Sequence, residues 1–161
     1  MTAPDITVNK DDETDIVKAS ANDHTRLIEI WESSVKATHD FLAESDFAYY
    51  RSRMPEYLSM VELYVCRDCD GAALGFMGVA GTMLEMLFVD AGARGKGIGR
   101  RLLTHAVTRM SVDKVDVNEQ NVQAIGFYER MGFAVTGRSA LDGEGRPYPL
   151  LHMQRATDGG I

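Results

Sequence analysis

The chain has 161 residues, and its 24 acidic and 17 basic side chains leave a formal net charge of −7. This length is typical of one domain, and the proportions of 45% apolar and 25% charged residues exclude a wholly disordered protein. No apolar run approaches the roughly 20 residues that cross a bilayer, and the net negative charge argues against a nucleic-acid partner, which requires a broad basic face. Residues 1–15 are acidic and polar where a signal peptide would be basic and then apolar, so we expect a cytoplasmic protein with no membrane partner.

Charge and periodicity divide the chain into three predicted regions. The first 23 residues hold six acids and two bases, and residues 1–14 show no sustained apolar period. We therefore predict a flexible acidic N-terminal extension over residues 1–14, one folded domain over residues 15–155 and a C-terminal tail over residues 156–161.

The N-terminal half of the domain begins with a short predicted strand at residues 16–17. Asn22 or Asp23 can cap the helix that follows, which carries apolar residues at helical spacing: Leu27, Ile30, Trp31 and Val35. A second helix is predicted from about Ser45, and Pro55 is expected to kink or split it because proline removes an intrahelical donor.

From residue 63 the apolar period changes to that of strands. Segments 63–66 and 73–80 flank an Asp-Gly turn as a hairpin, and a third strand is predicted over 82–89. A glycine-rich loop leads to a third helix, followed by a strand over 115–117, a helix over 121–131 and strands over 133–139 and 149–153. This order, β-α-α-β-β-β-α-β-α-β-β, predicts an α/β fold in which helices flank one mixed sheet.

The two cysteines, Cys66 and Cys69, have the C-x-x-C spacing of some metal and redox sites. No second pair of ligands at metal-binding spacing accompanies them in the sequence, and they lie in a predicted hairpin corner rather than at the start of a helix. We therefore predict no metal site and no covalent cysteine step.

The most informative segment is the junction between the strand that ends at Val89 and the helix that follows it. The strand feeds a glycine-rich loop, and such a junction presents unpaired N–H groups and the positive end of a helix dipole to an anion. No acid occurs between positions 91 and 112, whereas four basic side chains cluster there: Arg94, Lys96, Arg100 and Arg101. The local charge fits a polyanionic ligand.

Two common phosphate-binding motifs do not fit this loop. The G-x-G-x-x-G fingerprint fails because the third glycine, Gly99, comes one residue early, and the P-loop fails because glycine rather than Ser or Thr follows Lys96. The loop does contain Arg94-x-x-Gly97-x-Gly99 directly after an apolar strand. Here the chain resembles the GNAT superfamily of acyl-CoA-dependent N-acetyltransferases, in which this motif binds the CoA pyrophosphate.

Two further segments carry the same resemblance. Residues 121–133 follow the pattern Asn-x-x-Ala-x-x-Phe-Tyr-x-x-x-Gly-Phe, which is similar to a second GNAT motif. Residues 31–42 read Trp-Glu-Ser-Ser-Val-Lys-Ala-Thr-His-Asp-Phe-Leu, which is similar to the YjaB-like group of small bacterial acetyltransferases.

The resemblance implies a single-domain GNAT-like fold, with a mixed, mostly antiparallel sheet flanked by helices and with central parallel strands that splay apart to admit the pantetheine arm. It implies acetyl-CoA (coenzyme A) as the cofactor. It also implies that Phe88 and Val89 contribute backbone groups, with the Val89 N–H as a partner of the thioester carbonyl or of a pantetheine amide. Helix capping is an equal alternative for Asn121. The residues that the resemblance assigns to cofactor binding are Leu87, Phe88, Val89, Arg94, Gly95, Lys96, Gly97, Ile98, Gly99, Arg100, Asn118, Asn121, Phe127 and Tyr128.

Acetyl transfer from a thioester to an amine needs a proton donor for the departing thiolate and a base for the amine. Tyr128 stands at the family's tyrosine position and is predicted to be the general acid, with core packing as the alternative. Glu85 is the one charged residue in its apolar strand, where alternation places it on the face of Leu87 and Val89. A carboxylate among apolar neighbours has the raised pKa of a useful base, and a structural ion pair or a water chain is the alternative.

The acceptor is expected to bind at the first two helices and their connection, where the family varies most. The predicted acceptor-binding residues form a polar, acidic lip for a cationic amine: Trp31, His39, Asp40 and Phe41. Packing in the core is the alternative for Trp31, and capping of the first helix is the alternative for His39.

We therefore predict an enzyme, an acetyl-CoA-dependent N-acetyltransferase that transfers acetyl directly to a primary amine, with a small molecule as the first expectation for the acceptor. The alternatives are a protein N-terminus or lysine as acceptor, and a CoA-binding regulatory module without turnover. The sequence leaves open whether the protein forms a homodimer, and whether loop 143–147 is a lid or a dimer contact.

Overall fold

The computed structural model describes residues 15–156. The predicted extension over residues 1–14 lies outside the described residues, and so does the predicted tail apart from Ala156. Within the described part, no helix combines the length and the apolar character that a bilayer-spanning segment needs.

Seven strands and four helices follow one another in the predicted order. The strands are β1 (Asp15–Lys18), β2 (Glu62–Arg67), β3 (Ala73–Ala80), β4 (Met83–Val89), β5 (Lys114–Asn118), β6 (Phe133–Ser139) and β7 (Leu150–Arg155). The helices are α1 (His24–Thr38), α2 (Glu44–Ser59), α3 (Ile98–Met110) and α4 (Val122–Arg130). Within residues 15–156, all strands form one sheet in the order β1-β2-β3-β4-β5-β7-β6, in which only the β4–β5 pair is parallel. The predicted mixed, mostly antiparallel sheet is confirmed.

Helix α2 does not split at Pro55, so that part of the sequence prediction is wrong. Pro55 lies on the exposed side of the helix, where water can satisfy the carbonyl that loses its partner. Met54 precedes Pro55 and Leu58 follows it, and both side chains lie on the buried face of the helix, where they are only 2% and 1% exposed. Burial of these two side chains holds the helix together across the proline.

Each face of the sheet carries its own apolar core. Helices α3 and α4 cover one face, where the largest buried side chains include Leu102, Leu103, Met77 and Met153. Helices α1 and α2 cover the other face, where the buried side chains include Leu27, Ile30, Met54, Leu58 and Phe76. The two layers of helices therefore place loops from both faces at the same end of strand β4.

Strands β4 and β5 part soon after they meet. Their parallel pairing holds only Met83 opposite Lys114 and Leu84 opposite Val115. Beyond these pairs, in the part of the chain that the structure describes, β4 is bonded only to β3 and β5 only to β7. The gap between the two strands is the predicted splay of the central parallel strands.

A β-bulge in β4 changes the predicted orientation of Glu85. Val79 on β3 pairs with Leu84 and the preceding Gly78 pairs with Met86, so Glu85 is the extra residue of the bulge. Simple alternation would place Glu85 with Leu87, which packs against the core under α3. The bulge instead turns Glu85 toward the α1/α2 face, and the alternation-based prediction is wrong.

Candidate active site

The loop after β4 forms a cradle of backbone N–H groups, which we call the anion cradle (residues 94–100). Gly95 and Gly97 have φ values of +80° and +78°, a conformation that favours glycine. Gly97 is the residue before α3, and its carbonyl accepts the helix's first backbone bond, from Arg101 N at 3.0 Å. The N–H groups of residues 98–100 therefore have no acceptor within the helix and can bind an anion.

Three elements meet beside the anion cradle. A Cβ at Gly99 would lie 3.7 Å from Val89 Cγ2 and 3.8 Å from Phe127 Cζ, so the start of α3 approaches both β4 and α4 closely. The Arg94 guanidinium donates to Gln123 Oε1 on α4 at 2.7 Å. The cradle is thus held between the end of β4 and the first turns of α4.

The backbone of β4 presents a donor to the gap between β4 and β5. Asp90 N donates to Leu74 O on β3 at 2.9 Å. Because backbone groups point alternately to the two sides of a strand, the preceding Val89 N–H points away from β3 and toward the gap. The predicted role of Val89 as a backbone donor has the geometry that it requires.

Tyr128 lies at the base of this region and is only 7% exposed. Its ring packs edge-on against Phe127 and Phe133, at centroid distances of 5.1 Å and 5.7 Å. Burial raises the pKa of the Tyr128 phenol, which therefore keeps its proton at neutral pH. Tyr128 is both a core residue and a protonated donor, so the structure is compatible with both interpretations of it.

A cavity of about 540 Å³ opens on the α1/α2 face of the sheet, and we call it the α2 cavity. Its apolar wall is formed by side chains from α1, α2, β4 and the segments on either side of α2: Trp31, Val35, Leu42, Met54, Met60, Val61, Met86 and Phe88. Four carboxylates from three parts of the chain also line it, and we call them the acidic rim: Glu85, Asp116, Asp142 and Glu144. An apolar cavity with an acidic rim fits a cationic group carried on an aliphatic chain.

Glu85 and Asp116 carry like charges across the gap between β4 and β5. Partial burial, and after it the charge of Asp116, raises the pKa of the Glu85 carboxyl. A carboxylate with a raised pKa takes up a proton more readily, which is the property expected of a base for an amine.

The loop between β6 and β7 closes the α2 cavity by bonding to tyrosines of α2. Tyr49 and Tyr57 donate to the Glu144 carboxylate at 3.0 Å and 2.6 Å, and Tyr50 donates to Asp142. Burial, followed by the bond to Glu144, raises the pKa of Tyr57 to about 12, so its hydroxyl remains a donor.

The same loop is anchored a second time at the start of α2. Arg146 pairs with Asp46 and stacks over the Tyr49 ring at 3.9 Å from the centroid. The Tyr148 hydroxyl bonds to Asp46 and accepts from Ala43 N at 3.1 Å. Loop 143–147 is thereby packed against α2 of its own chain.

The predicted acceptor residues do not all face the α2 cavity. Trp31 and His39 line it, and Trp31 is also a core residue, 5% exposed and stacked on Phe47 at 5.2 Å. Burial lowers the pKa of His39, whose ring is therefore neutral at pH 7. Phe41 packs between His39 and Tyr148, and Asp40 is an exposed turn residue outside the cavity lining. The acidic lip is built by the acidic rim instead.

The family comparison agrees with this geometry. The family model described as an acetyltransferase (GNAT) domain matches residues 29–153. The chain belongs to the GNAT acetyltransferases. It is therefore an acyltransferase of the family that takes the acetyl group from acetyl-CoA, and the expected fold and activity class are confirmed.

Individual GNAT relatives and structures are similar over most of the chain. A protein of Salmonella typhimurium called peptidyl-lysine N-acetyltransferase YjaB is 44% identical over 128 residues, which cover 80% of this chain and 88% of the relative. The solution structure of apo YjaB from Escherichia coli superposes with a TM-score of 0.82 and 38% identity, covering 89% of this chain and 97% of the other. The PaiA N-acetyltransferase of Thermoplasma acidophilum, crystallised with coenzyme A, has a TM-score of 0.70 at 21% identity, covering 89% of this chain and 99% of the other.

The residues that the GNAT motifs assign to coenzyme A fall into two groups in the structure. Those of the anion cradle lie together with Val89 and Phe127, and the cradle's exposed basic side chains include Arg94, Lys96 and Arg100. The Phe88 side chain points to the other face, against Phe76 at 5.7 Å, so only its backbone can serve the gap.

The two predicted asparagines have different places in the GNAT fold. Asn118 lines the α2 cavity rather than the anion cradle. Asn121 Oδ1 accepts from Ala124 N at 3.2 Å and so caps α4, which is the alternative that the sequence left open. Capping leaves the Asn121 amide nitrogen available for a ligand, so its assignment to the cofactor stays a prediction.

Sequence reasoning missed three of the four carboxylates of the acidic rim. Asp116 is an alternating polar residue in β5, and Asp142 and Glu144 lie in a glycine-rich loop about 60 residues after Glu85. The one sequence signal for this part of the site was the glycine-rich loop 143–147, which the sequence analysis predicted to be either a lid or a dimer contact. Cys66 is buried in β2 and Cys69 is exposed in the hairpin turn, and among residues 15–156 no cluster of His, Cys, Asp or Glu could hold a metal ion.

Proposed function

We propose that this GNAT enzyme transfers the acetyl group of acetyl-CoA to the side-chain amine of a lysine in a protein or peptide, directly within a ternary complex. The sequence analysis placed a small-molecule amine first and a protein lysine as an alternative. The names of the YjaB relatives support the alternative better. The observation that carries the proposal is the α2 cavity, whose apolar wall suits a four-carbon side chain and whose acidic rim suits its ammonium.

An exposed apolar side chain at the mouth of the cavity also favours a peptide. Met60 lines the cavity and is 69% exposed, which is unusual for a large apolar side chain. Exposed methionine adapts to varied apolar surfaces, as a protein that meets several peptide segments requires.

The chain's own groups can perform the transfer in a defined order. Bound acetyl-CoA supplies the thioester at the gap between β4 and β5. Glu85 accepts the proton of the acceptor ammonium, and the Val89 N–H binds the carbonyl oxygen as negative charge develops on it. Tyr128 donates its phenolic proton to the departing sulfur. The anion cradle binds the pyrophosphate through the N–H groups of residues 98–100.

The acceptor class is tested with a matched pair of peptides. One peptide has a blocked N-terminus and a single lysine, and the other has arginine in place of that lysine. We expect thiol release from acetyl-CoA only with the lysine peptide, together with a gain of one acetyl group on the lysine in the mass spectrum. Small primary amines, such as a polyamine and free amino acids, are assayed in parallel.

Two results would contradict the proposal in different ways. Faster turnover with a small amine than with any lysine peptide would restore the small-molecule acceptor. Binding of acetyl-CoA without thiol release on any acceptor would favour the regulatory module. A cytoplasmic location and a homodimer remain predictions of the sequence, and fractionation and sedimentation would test them.

A further inference from the structure

Three side chains form a hydrogen-bonded row across β5, β7 and β6. His152 Nδ1 lies 2.6 Å from Asp116 Oδ1, and His152 Nε2 lies 2.6 Å from Ser139 Oγ. The strands hold this row in register, because Asp116 pairs with His152 and the neighbouring Asn118 and Ser139 both pair with Leu150. The row therefore belongs to the rigid part of the sheet.

One end of this row opens into the α2 cavity. Asp116 lines the cavity, whereas His152 and Ser139 are not among its lining residues. Ser139 lies at the end of β6, the edge strand of the sheet. The row thus leads from the acidic rim, past His152, to the edge of the molecule.

The arrangement resembles the Ser-His-Asp row of serine hydrolases but has the opposite orientation. In a hydrolase the serine faces the substrate and the carboxylate lies behind the histidine. Here the carboxylate faces the cavity and the serine lies behind. A nucleophilic role for Ser139 on a ligand of the α2 cavity does not follow from this geometry, whereas a role in proton transfer does.

The overall reaction requires a proton to leave the site. An acceptor enters as an ammonium with three N–H protons and leaves as an amide with one. One of the two protons ends on the CoA thiol, through Tyr128, and the other must reach the solvent. Glu85 can accept that second proton but must lose it before the next turnover.

We propose that Asp116, His152 and Ser139 form the route by which the acceptor's proton leaves the α2 cavity. In this route the proton passes from Glu85 to Asp116 directly or through one water. His152 accepts it from Asp116 at Nδ1 and releases a proton from Nε2 through the Ser139 hydroxyl to solvent. No covalent bond to carbon changes. His152 is then neutral with its proton on Nδ1, and it returns to the Nε2–H form by ring rotation or by proton exchange with water. The inference depends on the proposed function, since only turnover produces the proton.

The groups that face His152 come from β5 and β6. Asp116 faces it from β5, and Ser139 and Gly137 face it from β6, where a Cβ at Gly137 would lie 3.4 Å from His152 Cδ2. Lys114 is the basic residue of β5 and lies two positions before Asp116, on the same face of the strand, and Glu85 faces Asp116 from β4. The row thus has two carboxylates at its cavity end and a hydroxyl at its outer end.

The test is chemical rescue of a His152→Ala variant. We expect kcat with a lysine peptide to fall by about 30-fold at pH 7, which is less than the ~100-fold or more typical of a general acid or base that acts on the reacting atoms. Added imidazole should restore at least about a third of that loss, with saturation. Imidazole should fit the space that the ring leaves. The pH at which the variant reaches half its maximal kcat should also lie above that of the wild type, because solvent hydroxide must replace His152.

Controls separate a proton route from a structural role. His24→Ala removes a histidine at the start of α1 and should show the wild-type rate with no imidazole dependence. A double variant, His152→Ala with Asp116→Asn, should not be rescued, because the link between the cavity and the added imidazole is lost. Thermal unfolding of each variant checks that the sheet is intact.

The outcomes distinguish the two proposals. The proton route would be overturned, and the proposed function left standing, if the wild-type enzyme turns over and His152→Ala has the same rate. The same conclusion would follow if the rate of His152→Ala falls but shows neither rescue by imidazole nor a shift of the pH profile. Absence of turnover by the wild-type enzyme on every acceptor would overturn the proposed function, and the proton route with it.

Discussion

The anion cradle and the α2 cavity are built in different ways, although they meet at the end of the same strand. The cradle consists of consecutive residues, and its binding groups are backbone N–H groups held by glycines with positive φ. The α2 cavity takes its wall and its acidic rim from side chains on five or more separate elements. A backbone site serves any acyl-CoA, whereas a side-chain site can change its acceptor without disturbing the fold.

This difference predicts that variants of the cradle and of the cavity will affect different kinetic constants. Changes near the cradle should alter the binding of acetyl-CoA, changes at the acidic rim should alter KM for the acceptor, and changes to the proton donor should alter kcat alone. Four predictions test this separation.

The largest effect is expected for Tyr128→Phe. Removal of the phenolic proton donor should lower kcat by about 100-fold or more, the usual contribution of a general acid. The ring stays packed between Phe127 and Phe133, so the dissociation constant of acetyl-CoA should stay within about twofold of the wild type. A thiol-release assay measures kcat, and calorimetric titration measures the dissociation constant of acetyl-CoA. An unchanged kcat would show that Tyr128 is only a core residue.

A smaller effect is expected for Gly97→Ala in the anion cradle. An alanine at φ +78° is strained by about 1 kcal/mol, and relief of that strain would move the N–H groups of α3. We expect acetyl-CoA to bind about tenfold more weakly, which corresponds to about 1.4 kcal/mol.

Gly71→Ala is the matched control for the cradle variant. Gly71 has φ +85° in the turn between β2 and β3, so the same substitution carries the same strain away from the cradle. Both variants should lose similar stability in urea, and only Gly97→Ala should lose affinity for acetyl-CoA. Equal affinities in the two variants would remove the cradle from the coenzyme site.

At the acidic rim, Glu144→Gln should raise KM for a lysine peptide about fivefold and leave the affinity for acetyl-CoA unchanged. The loss of one part-exposed charge near an ammonium is about 1 kcal/mol. Glu29→Gln is the control, because Glu29 pairs with Arg26 at 3.4 Å on α1 and does not line the cavity. Steady-state kinetics over a range of salt concentrations should show the difference shrinking as salt rises. The same KM for both variants would argue against charge recognition.

The smallest effect concerns the loop that closes the cavity. Hydrogen bonds from Tyr57 and Tyr49 hold the pKa of Glu144 below its usual value. A lowered pKa means that this contribution to stability is present above the ordinary glutamate pKa of about 4.3 and is lost as pH falls through the lowered value. Tyr57→Phe should therefore lower the free energy of unfolding by about 1 kcal/mol at pH 7, and by less below pH ~4.

Urea denaturation at the two pH values checks this last prediction. Tyr64→Phe is the control, since Tyr64 lies on β2 with its ring against His105 of α3, on the other face of the sheet. A Tyr57→Phe effect that does not depend on pH would show that Glu144 is not the partner that matters.

The same contrast explains what the sequence could predict. Element order and the anion cradle follow from local signals: apolar period, glycines and a basic cluster within residues 89–101. The orientation of Glu85 was not predictable by alternation, because the bulge depends on how β3 pairs with β4. The continuity of α2 through Pro55 likewise depends on burial of its neighbours in the tertiary structure.

The acidic rim was hidden from the sequence for a related reason. Asp116, Asp142 and Glu144 meet Glu85 only after β5 has paired with β7 and the β6–β7 loop has bonded to α2. Contacts between residues that are distant in sequence, such as the hydrogen bonds of Tyr57 and Tyr49 to Glu144 across 87 and 95 positions, leave no local pattern. Three tyrosines of α2, to which the sequence analysis assigned no role, are the hydrogen-bond donors that hold this loop.

The most direct test of the two-site account is calorimetric titration with a conjugate in which coenzyme A is linked through an ethylene bridge to the lysine amine of a peptide, so that this nitrogen stays a cationic secondary amine. The account predicts that the wild-type protein binds the conjugate at least tenfold more tightly than coenzyme A alone. Gly97→Ala should weaken binding of both ligands, and Glu144→Gln should weaken binding of the conjugate only. A conjugate that binds no better than coenzyme A, or that is insensitive to Glu144→Gln, would contradict the assignment of the α2 cavity to a lysine acceptor.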